Sequence, residues 1–391
     1  MLRFITAGES HGEALVSVIA GLPAGIAVDQ AFIERELWRR QQGYGRGGRM
    51  KIERDTAHIV AGVRQGKTIG SPIAIILENK DWKNWQESLP VGEGDPTKHK
   101  RVVSPRPGHA DLAGALKYNF PEARYVLERS SARETAARVA AGAMAKLMLR
   151  ELGVEVLSHV IAVGAAALER EVSWDKIAQL YGRDEVLLNC ADAETEQRMK
   201  AEVDKVTEAR DTVGGVFEVR AHHVPPGLGT YANWDERLDG LLAQAVMSVQ
   251  AVKAVEIGSG ITAAGAMGST VHDEIGYNRG GGAFTGFTRK ANRAGGIEGG
   301  VSNGEDIVVR GYLKPISTLR RPLESVDFDT REPVKAAYER SDVCVVPAAG
   351  VAAEAMVALT LARCAMEKFG GDSIAETKRN YEGYLDQLRR F

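Results

Sequence analysis

Residues Ser131–Leu152 read SARETAARVAAGAMAKLMLREL, and Ala348–Phe369 repeats the character as AAGVAAEAMVALTLARCAMEKF. Alanine, leucine and methionine favour helix. The small side chains permit close backbone approach against a sheet or a neighbouring subunit. Helical periodicity is also clear at Asp29–Gln42, Glu194–Asp211 and Trp234–Val252. Short β-branched runs lie between these segments at His58–Val63, Ile73–Leu77, Gly215–Arg220, Ile307–Leu313 and Val343–Val346, each bounded by Gly, Pro or charge. The pattern predicts a mixed α/β (α+β) fold. With no fixed-period repeat and no low-complexity linker, one intertwined domain over residues 1–391 is expected.

The 391 residues, 44% of them hydrophobic, suffice for a large buried core. Fifty Lys and Arg against 52 Asp and Glu give a net charge of -2, so no global field favours nucleic acid or an anionic membrane surface. Cys190, Cys344 and Cys364 lie far apart without metal-ligand spacing, which fits a reducing cytoplasm and no metal site. The start, Met1-Leu2-Arg3-Phe4-Ile5, runs too soon into glycine and charge to form a signal peptide. The most apolar window, Val343 to Leu361, approaches the length of a membrane span but holds Pro347, Gly350 and Glu354, so a buried helix after a short strand is expected.

Two histidines have settings that point to chemistry. In Gly8-Glu9-Ser10-His11-Gly12 and in Arg106-Pro107-Gly108-His109-Ala110-Asp111, adjacent glycine lets the backbone turn sharply and approach a ligand. In Arg129–Thr135, Ser131 and Glu134 stand at capping-box spacing, so Ser131 is expected to cap a helix whose N–H groups attract anions, with Arg129 and Arg133 beside it. Arg340-Ser341-Asp342 precedes the second alanine-rich helix. The segment from Arg35 to Arg54 carries Arg39, Arg40, Arg46, Arg49, Lys51 and Arg54 against only Glu36 and Glu53. It reads either as a solvated basic face or as arginine forks for phosphate and carboxylate.

Other motifs carry less. Gly43, Gly45 and Gly48 match the spacing of a dinucleotide fingerprint but follow a charged helix where a strand is required. His58, His159 and His272 read as structural, His99 lies in a run of lysines, and His222-His223 reads as a strand end. The glycine-rich stretches Gly276–Thr288 and Gly295–Gly304 read as loops able to fold over a ligand. Neither Gly-x-Ser-x-Gly nor His-Glu-x-x-His occurs, so hydrolase readings lack a nucleophile or a metal.

In order along the chain, the two histidine motifs, Arg129–Thr135, Lys314-Pro315-Ile316-Ser317-Thr318 and Arg340-Ser341-Asp342 resemble the chorismate synthase family. The resemblance implies a homotetramer whose subunit is a β-α-β sandwich of antiparallel sheets and helices. It also implies conversion of 5-enolpyruvylshikimate 3-phosphate to chorismate, by 1,4-anti loss of phosphate and a C6 hydrogen with reduced FMN (FMNH2). By the same resemblance His11 protonates the departing phosphate, held by Ser10 and Arg49, while Arg40, Arg46, Arg133 and Arg340 help neutralise the substrate. His109, with Arg106, would face the flavin, and Asp342 would act with flavin N5 in removing the hydrogen. Flavin contacts map onto Arg106, Arg129, Ser130, Ser131, Gln250, Ala251, Gly299, Lys314, Pro315, Ile316, Ser317, Thr318 and Arg340. The run Arg39-Arg40-Gln41-Gln42-Gly43-Tyr44-Gly45-Arg46 departs from the Arg-Arg-Pro-Gly-Gln of many members and looks like the family's other common branch.

Some members of that family reduce their own flavin with NADPH. This chain shows no added domain for that, so an external flavin reductant is expected. Two rival readings remain at this stage. A flavin oxidoreductase would oxidise NAD(P)H itself, and a nucleic-acid binder would use the loop near Arg46, where only Trp38 and Tyr44 supply aromatics.

Overall fold

The computed structural model describes residues 1–47, 55–279, 281–339 and 342–391. Its first sheet grows from Ala14–Ala20, in which buried Leu15, Ser17 and Ile19 alternate with half-buried neighbours. That period of two gives the strand one inward face. Arg3–Ala7 pairs on one side and Ile73–Glu78 on the other, with His58–Ala61 beyond, all antiparallel. Ile73, Ile75 and Leu77 join the inward face, which packs on the helix Thr135–Arg150.

A second antiparallel sheet runs in the order Val252–Ile257, Ile307–Leu313, Gly215–His222, Glu155–Val163, Ala166–Ala167. The long helix Val346–Phe369 covers it and packs in turn on Thr135–Arg150. Two sheets with the alanine-rich helices between them make the expected sandwich, and one apolar core runs through all four layers. Val346–Phe369 is long and apolar enough to cross a membrane, yet most of it is buried inside the protein.

The helix pair meets at Gly142. A Cβ there would lie 2.3 Å from Ala355 Cβ and 2.5 Å from Ala355 Cα, so the helices can approach this closely only over glycine. Gly142→Ala is therefore expected to destabilise the fold by about 1–3 kcal/mol through overpacking. A urea midpoint unchanged from wild type would refute that.

The same core buries charge. Glu354, wholly inaccessible in the middle of Val346–Phe369, accepts both Arg39 guanidinium nitrogens at 2.7 Å, the Ser158 backbone N–H at 2.7 Å and the Ser158 hydroxyl at 2.6 Å. Lys146 completes the set by bonding Glu354, and Glu36 pairs with both Lys146 and Arg39. Burial opposes ionisation of Glu354, but Arg39 and Lys146 outweigh it and hold the carboxyl below its usual range.

Several local expectations differ from what forms. Val343–Val346 is no strand: Val346 opens the long helix with Pro347 in its first turn, and Val343 bonds the backbone of Gly45 and Val213. Its buried β-branched run satisfies burial without a ladder. Ser131 caps only a 3-10 turn, Ala132–Glu134, by accepting from Arg133 N, and the α-helix starts at Thr135. No capping box closes, because the Glu134 carboxylate binds Thr6, Arg138 and Gln250 instead. Trp234–Val252 divides into a short turn, the helix Leu238–Met247 and the start of a strand. Each glycine-rich stretch holds a small hairpin, Ile275–Tyr277 with Phe287–Arg289 and Ile297–Glu298 with Val301–Ser302. Strand Gly215–His222 ends at His222, as expected. The helix Ile374–Arg390, capped by Ser373, adds a segment that the periodicity reading omitted.

Candidate active site

Seven separate segments enclose a cavity of about 690 Å³, one of them carrying Asp81 and Trp85. Ser10 and His11 come from the turn between the first two strands. Gly8 makes that turn possible: its φ of +102° is costly for other residues, and a Cβ would meet the Ala14 carbonyl at 2.3 Å. Gly108, His109 and Ala110 arrive just ahead of the helix Asp111–Tyr118, and Ser130 and Ser131 at the end of Arg124–Ser130. Gln250 and Ala251 precede one strand of the second sheet, while Lys314, Ile316, Ser317 and Thr318 follow its neighbour. Asp342 stands ahead of the long helix, opposite the Arg46 loop.

Each histidine is held by a buried carboxylate. His109 Nδ1 lies 2.6 Å from Asp111 Oδ1, and Arg106 Nε donates to Asp111 Oδ2 at 2.8 Å. Burial would raise the Asp111 carboxyl, but hydrogen bonds from His109 and Arg106 more than offset it and keep the group ionised well below the usual range. Arg106 also donates to Thr318 Oγ1 at 2.8 Å, tying the two edges of the cavity together. On the other wall His11 Nδ1 lies 2.9 Å from Glu128 Oε1, and its ring stacks on Trp85 with centroids 3.9 Å apart.

The remaining wall sets the Lys314 ammonium among hydroxyl, amide and carboxylate groups. Lys314 Nζ donates to Ser317 Oγ at 3.0 Å beside Gly108. Burial, and then the charge of Lys253, hold the Lys314 ammonium below its ordinary value, a cost that a bound anion would relieve. Gln250 gives its amide N–H to Glu134 at 3.2 Å, while its Oε1 is buried with no partner among the described residues. Ala251 beside it takes φ +70°, rare outside glycine. Asp342 accepts the Gly47 N–H at 2.5 Å and lies 3.4 Å from Arg46 Nη1.

Of the residues expected in a site, Ser10, His11, Arg106, His109, Ser130, Ser131, Gln250, Ala251, Lys314, Ile316, Ser317, Thr318 and Asp342 line this one cavity. Arg40 and Arg133 do not line it. Both are buried against Asp55, with Arg40 Nη2 at 3.0 Å and Arg133 Nη1 at 2.5 Å from its two oxygens. Arg129 lies outside too, donating to the Gly8 and Thr6 carbonyls at 3.0 and 2.9 Å. Pro315 is not in the lining, nor is Gly299, at the turn of a small hairpin. Arg49 and Arg340 fall outside the described residues. Sequence reading missed Asp81 and Trp85, which line the cavity, Glu128, which pairs with His11, and Asp55, which pairs with Arg40 and Arg133 behind it. Only the Arg124 to Glu128 spacing left a trace, and i,i+4 charge pairs are usually surface features.

Comparison with known proteins agrees along the whole chain. Residues 2–366 match the family model described as chorismate synthase. The chain is 75% identical over 393 residues to a chorismate synthase of Koribacter versatilis (strain Ellin345), and 55% identical over 395 residues to one of Geobacter sulfurreducens (strain ATCC 51573 / DSM 12127 / PCA). Each comparison covers 100% of both proteins. A solved structure titled "Crystal Structure of Chorismate Synthase" superposes with a TM-score of 0.78 at 39% identity, covering 100% of this chain and 99% of that one. The chain belongs to the chorismate synthase family, lyases that use reduced FMN to turn 5-enolpyruvylshikimate 3-phosphate into chorismate and phosphate for aromatic amino acid biosynthesis.

Proposed function

We propose that the cavity is where this elimination occurs, with His11 and His109 serving different partners within it. The observation that carries the reading is their joint placement: two carboxylate-held histidines and the Lys314–Ser317 pair line one space. His11 gives a proton to the departing phosphate, and Ser10 and Arg49 help hold that group. Arg40, Arg46, Arg133 and Arg340 offset the substrate's phosphate and two carboxylates. For Arg40 and Arg133 this charge acts from behind the wall, shared with Asp55. Asp342 serves the removal of the C6 hydrogen.

The donor set fits reduced FMN. Lys314, Ser317 and Thr318 suit a phosphate tail, and the unpartnered Gln250 Oε1 suits a ring N–H. Arg106, Ser130, Ser131, Ala251, Pro315 and Ile316 frame it, and His109 keeps its protonation suitable. Arg129 and Gly299 belong to this set by family likeness alone. When bound, the flavin lends electron density to the reaction and takes it back, so no net oxidation occurs. Lys314→Ala is expected to weaken binding of oxidised FMN roughly tenfold or more, the scale of one charge-assisted hydrogen bond. Fluorescence titration reads it, and an unchanged Kd would remove Lys314 from the flavin site.

We further propose that residues 1–391 form a single domain, which the continuous core supports, and that it assembles as a homotetramer. Exposed Leu112, Leu116 and Tyr118 on the short helix Asp111–Tyr118 support association. The flavin arrives already reduced, in the cytoplasm. Gly43 and Gly45 follow the helix Gln30–Gln41 rather than a strand, and the three cysteines are unpaired, which support those two readings.

The deciding assay is anaerobic, with purified protein, substrate and chemically reduced FMN. Chorismate, followed by ultraviolet absorbance, and phosphate should form in equal amounts, and not at all with oxidised FMN. No product from folded, flavin-binding protein would overturn the reading.

A further inference from the structure

Glu128 grips the Ser10–His11 dipeptide at three points. Its carbonyl accepts the Ser10 N–H at 3.0 Å, its Oε2 accepts the His11 N–H at 2.8 Å, and its carboxylate meets His11 Nδ1 at 2.9 and 3.1 Å. The carboxylate is almost fully buried and Arg124, one helical turn earlier, lies 3.3 Å away. Burial alone would push Glu128 toward its neutral form, but His11 and Arg124 prevail and keep it ionised. Trp85 closes the ring face, anchored by its Nε1–H to Asp81 at 3.0 Å, with Lys100 Nζ 3.9 Å from the Trp85 ring centre.

We propose that Glu128 is the positioning residue of the reaction: it fixes His11 with Nδ1–H toward the carboxylate, so that Nε2 presents the proton to the leaving phosphate. This rests on His11 being the acid. As the C–O bond breaks, its electron pair departs with the phosphate oxygen and the Nε2 proton passes to that oxygen. The ring is left neutral, with Nδ1–H still donating to Glu128. A buried carboxylate behind a catalytic imidazole sets its tautomer and stabilises its charged form. Among the described residues, the charged groups around His11 are Glu128 and Arg124 of the helix Arg124–Ser130, Asp81 and Lys100 on Trp85, the neighbouring Glu9 in sequence, and Arg106, Lys314, Glu339 and Asp342 elsewhere in the cavity lining.

Glu128→Gln keeps the shape and removes the charge. Its kcat should fall roughly tenfold or more with KM nearly unchanged, since Glu128 does not line the cavity. His11→Ala separates the layers. If that variant keeps its rate, the acid assignment itself fails; if it is inactive while Glu128→Gln keeps wild-type kcat, the positioning role alone fails. Should Glu128→Gln not fold, nitrogen-15 NMR of histidine-labelled wild-type protein decides: the neutral His11 ring should be the Nδ1–H tautomer, and the Nε2–H tautomer would overturn the proposal.

Discussion

His11→Ala should lower kcat by about a hundredfold or more, within the range a positioned general acid contributes. The ring is locked by Glu128 and Trp85 on two sides and borders the cavity, so on the proposed assignment its loss removes a proton donor for which no described residue is equally placed. Neighbouring arginines can offset the phosphate's charge but give up no proton near neutral pH. With ground-state binding assigned mainly to the arginines, KM should change far less than kcat. Single-turnover phosphate release with reduced FMN measures the effect, and unaltered flavin affinity shows that the cavity survives. A rate within a few-fold of wild type would remove His11 from the chemistry.

Glu354→Ala should be the most damaging single change to stability, costing about 3–5 kcal/mol, because it strands Arg39 and Lys146 as uncompensated charges in the core. The pH dependence has a definite sign. Glu354 is held below its ordinary value in the folded protein, so its contribution is complete above the unfolded carboxyl value of about 4.3 and drains away as pH falls through the folded one. Wild type and variant should therefore differ fully at neutral pH and converge on acidification. Urea unfolding at pH 7 and at about pH 3.5 tests both halves; a neutral-pH difference below about 1 kcal/mol would mean that the network stabilises nothing.

How much was legible in the sequence follows from how far each signal reaches. Helices Thr135–Arg150 and Val346–Phe369 announce themselves because small apolar residues persist for many turns. Ser10, His11 and His109 were visible because their glycines are sequence neighbours. The partners of those histidines were not: Glu128 lies 117 residues from His11, and nothing local distinguishes it from a surface helix carboxylate. Arg40 and Arg133 show the converse failure. Their type was read as suited to an anion, but Asp55, 15 and 78 residues away, takes both side chains inside the fold. Val343–Val346 failed for a third reason: a buried apolar run looks alike as strand or helix entry, and here Pro347 selected the helix.

The cavity takes side chains from position 10 at one extreme and 345 at the other. On the proposed function, a ribosome must therefore deliver the chain as far as the long helix before the first turnover, and a message truncated upstream of it should yield an inert product.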